Sequence, residues 1–125
     1  MNRLQHFLKA KTQYNLHSPF VYRLYTEILF SRVKDLPKGS RYQTVVWRLE
    51  HYYGVETLEV ESKPLEVVML ESADGVFQVV KNPHRCEERW ARWVESSEWQ
   101  VTIDLFDVGI AVKNSRLSYQ HFLLR

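Results

Sequence analysis

Apolar positions recur with helical spacing in the first part of the chain and with the shorter rhythm of strands later. Leu4, Phe7 and Leu8 share one face of a predicted helix over about residues 2–12, although its neighbours are largely basic. A second helix is predicted from Ser18-Pro19, a capping hydroxyl followed by a proline whose missing N–H costs nothing at the first helical position. Phe20, Val21, Leu24, Tyr25, Ile28 and Leu29 give it a wide apolar stripe. Pro37, Lys38 and Gly39 then break the chain. Ser40 with Gln43 makes a capping-box pattern, and Val45, Val46, Leu49, Tyr52 and Tyr53 carry a third helix to Gly54, a suitable left-handed stop. The fourth is predicted to open at Asn82-Pro83, with Cys86, Trp90, Trp93 and Val94 on one face.

Between and after these lie short apolar runs that read as strands: 55–60, 66–70, 76–80, 100–106, 108–112 and 119–124. The segment Asp107-Val108-Gly109 is expected to turn a tight hairpin. Strands mixed with amphipathic helices predict an α/β fold with a mixed sheet of five or six strands. One domain spans 1–125, helical over 1–53 and sheet with one covering helix over 54–125. There is no internal repeat, low-complexity tract or long linker.

Composition narrows the classes. Hydrophobic residues at 45% and charged residues at 26% argue against wholesale disorder. One cysteine, Cys86, excludes an intramolecular disulfide and a cysteine-rich zinc site. No apolar run approaches the ~20 residues of a membrane span, and the N-terminal stretch lacks a secretory signal. The expectation is a cytoplasmic protein with no membrane partner. The net charge of +2 is unevenly spread. Residues 1–48 carry nine Lys or Arg against Glu27 and Asp35, hence +7, and the remainder carries eight against thirteen acids, hence −5. Such asymmetry fits either a basic arm or, more simply, basic helices laid over an acidic sheet edge of the same molecule.

Candidate chemistry is sparse. His17 beside Ser18-Pro19 reads as a helix-entry residue, and Ser18 lacks the base and orienting acid of a nucleophile. His6, His17, His51, His84 and His121 show no metal-ligand spacing. Cys86 in a first helical turn could have a lowered pKa, but its place beside Trp90 favours a buried, inert thiol. Among the carboxylates Glu59, Glu61, Glu66, Glu71, Asp74, Glu87, Glu88, Asp104 and Asp107, three draw attention. Glu59 and Glu61 share a strand face, and Asp104 interrupts an apolar strand, where it caps a neighbour or faces a cavity. Gly39, Gly54, Gly75 and Gly109 lie too far apart for a phosphate loop. Phe7, Lys9, Lys11, Tyr14, Phe20, Tyr22, Arg23, Tyr25, Arg41, Tyr42, Trp47 and Arg48 interleave rings with cations, but most of the rings fall on helical stripes. No catalytic, cofactor-binding or metal-binding residue is assigned on these patterns.

Several stretches resemble bacterial class I S-adenosylmethionine-dependent methyltransferases. FLKAKTQYNLHSPFVYRLYTEIL is similar to a leader segment in which His-Ser-Pro-Phe starts a helix, and WQVTIDLFDVGIAVKNSRLSYQHFLLR is similar to the closing strands. RYQTVVWRLEHYYGVETLEV resembles the helix and first strand before the cofactor loop, and VFQVVKNPHRCEERWARW resembles a late strand and helix. The resemblance implies a reduced Rossmann-like methyltransferase fold. It also implies a glycine-rich turn after the first strand and a ribose-holding acid roughly 20 residues on. Here that stretch is Glu59-Val60-Glu61-Ser62-Lys63-Pro64, and Lys81-Asn82 stand where an Asp-Asp is expected. The pattern reads as an internal contraction that removes the cofactor half. The expected role is a non-enzymatic interaction or accessory module without cofactor, acting as a homodimer or with a full-length methyltransferase relative. The alternatives are a methyltransferase with an unconventional site and a nucleic-acid-binding module.

Overall fold

The computed structural model describes residues 2–9, 18–30 and 39–124. Six strands form one mixed sheet in the order β1-β2-β3-β5-β4-β6. They are β1 (Leu58–Glu61), β2 (Val67–Ser72), β3 (Gly75–Lys81), β4 (Val101–Asp104), β5 (Val108–Lys113) and β6 (Gln120–Leu123). Neighbouring strands are antiparallel except β4 and β6, which run parallel. Among the described residues the helices are α1 (Arg3–Lys9), α2 (Pro19–Arg23) running on into a π-helical turn (Leu24–Leu29), α3 (Arg41–Tyr53) and α4 (Glu87–Glu95). The α/β class and the mixed sheet match the pattern of the sequence.

Local chemistry places the helix ends. Ser18 Oγ accepts from the Val21 N–H at 3.3 Å, so this hydroxyl is a cap. Ser40 Oγ accepts from Gln43 N at 3.2 Å while Gln43 Oε1 accepts from Ser40 N at 3.0 Å, closing the capping box. Gly54 ends α3 at φ 67°. Residues 10–12 of the first predicted helix, together with Tyr14 and His17, lie outside the described residues.

The sheet separates two layers. Along β4, Val101 and Ile103 join the larger core with Val21, Leu24, Val45 and Leu49. The strand period of two then turns Thr102 and Asp104 to the opposite face. On that face Trp90, Trp93 and Trp99 close over Val67, Val80 and Ala111. Each fully buried aliphatic side chain stabilises by roughly 1.5–3 kcal/mol, so the larger first layer contributes most of the apolar stabilisation. Cross-layer ion pairs, Arg23 to Asp74 at 2.8 Å and Arg41 to Asp107 at 3.4 Å, join the basic first part to the acidic remainder.

Three local expectations are corrected. Asn82 sits at φ 47°, Pro83–Arg85 make a 3-10 turn, and α4 starts only at Glu87, with Cys86 at its N-cap. The β4–β5 reversal uses Leu105-Phe106-Asp107, not Gly109: Asp107 N donates to Leu105 O at 3.0 Å across Phe106 at φ 73°. Gly109 is required instead for packing, since a Cβ there would lie 2.7 Å from the Trp90 ring. Glu59 and Glu61 do not form a simple exposed pair. A register shift separates them, and Glu61 is bound by Arg89.

Candidate functional site

Polar groups converge where the C-terminal end of β4 meets α1 and the 3-10 turn. Asp104, the last residue of β4, is 1% exposed, and His6 from α1 is 4% exposed. Asp104 Oδ2 lies 2.5 Å from His84 Nε2, and Oδ1 accepts the Phe106 N–H at 2.8 Å. His6 Nδ1 approaches Asp104 Oδ1 to 3.6 Å. The expectation that Asp104 caps a neighbour is met by its bond to Phe106, and it also anchors a histidine pair. One ligand atom from each of His6, His84 and Asp104 lies within 4.8 Å of the others, so these residues could hold a metal ion.

The surroundings fix both rings. His6 Nε2 lies 2.6 Å from Leu124 O. His84 Nδ1 lies 3.2 Å from Glu87 Oε1. The Phe106 ring stacks on His84 at 5.3 Å, meets His6 edge-on at 5.7 Å, and carries the Arg3 guanidinium 4.6 Å from its centre. The backbone here is strained. The one-residue reversal at Phe106, with positive φ, is the rare form of γ-turn. Among the described residues only Asn82 and Phe106 have positive φ without being glycine. Each lies two residues from a member of the cluster, and Asn82 N donates to Asp107 O at 2.9 Å, tying the two turns together.

The remaining candidates fall elsewhere. His51 stacks on Trp47 at 3.7 Å, and His121 Nδ1 lies 2.7 Å from Thr102 Oγ1. Cys86 is half-buried and packs against the tryptophan cluster. Glu66 pairs with Lys81 at 3.6 Å. Asp74 accepts from Tyr53 Oη at 2.7 Å and from Arg23, and those bonds hold its carboxyl below the usual range. Burial first, and then the bond to Asp74, push the Tyr53 phenol upward. This second cluster ties α2 and α3 to the β2–β3 turn.

A different kind of feature lies at the sheet edge. On β1, Leu58 is 65% exposed and Val60 50% exposed, flanked by the exposed Glu56 and Glu59. On α1, Leu4 is 67% exposed beside the exposed Arg3. No helix among the described residues is long and apolar enough to cross a membrane. In comparisons with protein-family models, curated proteins and solved structures, nothing matches the chain.

Proposed function

We propose that this chain is a methyltransferase-like protein that has exchanged its cofactor half for an interaction surface and acts without catalysis by binding a second copy of itself. The observation that carries the reading is the β1–β2 hairpin. In the family that the sequence resembles, the first strand feeds a glycine-rich turn and a helix whose N-terminus faces the cofactor. Here β1 reverses through residues 62–66 and returns antiparallel as β2, leaving the other side of β1 as an edge. Further support comes from β3, α4, β4 and β5. Strands β3 and β4 run in the same direction with the reversed β5 between them, an arrangement in keeping with a late strand, a helix and a closing hairpin.

The partner follows from charge and exposure. A free edge with outward Leu58 and Val60 invites pairing, while Glu56 and Glu59 disfavour a like acidic edge. The exposed Arg3 beside Leu4 on α1 carries the opposite charge, and a two-fold axis makes that contact twice. Isothermal calorimetry with S-adenosylmethionine tests the non-catalytic half of the reading. The expected trace shows no binding heat, and a low-micromolar dissociation constant would restore the alternative of a methyltransferase with an unconventional site.

A further inference from the structure

We infer that His6, His84 and Asp104 form a binding site for one divalent transition-metal ion of the zinc class. Leu124 O can only accept, so His6 Nε2 carries the hydrogen and donates across 2.6 Å. That leaves Nδ1 as the ring atom turned toward the carboxylate, where it is buried without a hydrogen-bond partner. Were it protonated, a charge-assisted bond to Asp104 would close to about 2.7–2.9 Å. The observed 3.6 Å is too long for that. It is close to the spacing of two ligands on one ion: metal bonds of about 2.0–2.1 Å at tetrahedral angles separate ligand atoms by roughly 3.3–3.5 Å.

His84 is arranged in the same way. Its Nδ1 faces the Glu87 carboxylate at 3.2 Å, and its Nε2 points inward at Asp104. Both histidines thus direct one nitrogen at a backbone carbonyl or carboxylate and the other at a common point, the outer-shell pattern that orients metal-ligating imidazoles. Binding lengthens the 2.5 Å contact between His84 and Asp104 to a ligand–ligand distance.

The donor set selects the ion. Two imidazoles and one carboxylate suit zinc or ferrous iron better than calcium or magnesium, which take oxygen ligands. Three protein ligands leave a position for water or a small anion, as in sites that bind a further molecule. A dication beside two imidazoles and Asp104 leaves one positive charge, which Glu87, 3.2 Å from His84 Nδ1, offsets. The strained γ-turn at Phe106 fits this account, because it aims an N–H at Asp104 Oδ1 and fixes the carboxylate.

The test uses the full chain, stripped with a chelator, and cobalt(II) or zinc(II) chloride. Cobalt(II) should bind at one per chain with visible bands of low coordination number, and zinc(II) should displace it. H6A and H84A should each weaken binding by on the order of 100-fold or more, since outer-shell partners alone are worth 10–100-fold. H51A should bind as the parent does. Long-range proton–nitrogen spectra of the unmodified chain should show zinc(II) shifting His6 Nδ1 and His84 Nε2, a readout that stands even if a variant fails to fold. Absent ring-nitrogen shifts, or affinity unchanged in a folded H84A chain, would overturn the site.

Discussion

Two regions depart from the ordinary inside-out arrangement, and they do so in opposite senses. At β1 apolar side chains face solvent: Leu58 and Val60 are at least half exposed. At the end of β4 polar side chains are buried, and His6, Thr102 and Asp104 are the buried polar residues of the described chain. Between them the protein follows simple rules, with alternating strands, capped helices and a continuous apolar layer. Sequences that specify one fold are consistent at every level except where function intrudes. An exposed apolar edge costs solubility unless another surface covers it. A buried carboxylate costs desolvation, which His84 and the Phe106 N–H offset at Asp104. The two departures carry the two proposals made above, a protein surface for the edge and an ion for the cluster.

The largest expected effect is at the buried cluster. D104A leaves His84 without its inward partner and the Phe106 N–H unpaired, and should cost about 3–5 kcal/mol in urea unfolding. A loss under 1 kcal/mol would mean that the cluster is wet and loosely held. Next comes the packing that supports it. G109A drives a methyl group into the Trp90 ring and should cost about 1–3 kcal/mol, read from the same unfolding curves.

The cap of α3 should matter less. S40A should lower stability by about 1 kcal/mol and leave metal binding unchanged, separating general fold stability from the site. The Asp74 cluster gives a pH signature. Bonds from Tyr53 and then Arg23 depress its folded pKa, so its contribution is complete above the unfolded value of about 4 and is lost as pH falls through the depressed folded one. D74N should flatten that acid limb of a stability–pH curve, while the parent chain loses stability along it.

Legibility in the sequence followed the range of the interactions. The caps at Ser18 and Ser40, the stop at Gly54 and most strands rest on neighbours within a few residues, and local pattern was enough to find them. Gly109 was misread because its constraint is the distant Trp90 ring, whereas the turn is made by Phe106, a residue type that rarely takes positive φ. Of the cluster only Asp104 left a trace, as a carboxylate within an apolar strand. His6 and His84 lie on separate elements and share no spacing, so only the fold brings them together. A free sheet edge is an expectation that rests on the resemblance alone, and the particular strand depends on β1 reversing into β2.

Light scattering across a micromolar concentration series decides whether the β1 edge binds a second copy. The parent chain should run at twice its 15.0 kDa mass. The double variant L58K/V60K, nearly neutral for folding within about 0.5 kcal/mol at exposed positions, should run at the single-chain mass. A parent protein that stays at 15.0 kDa at every concentration would contradict the account.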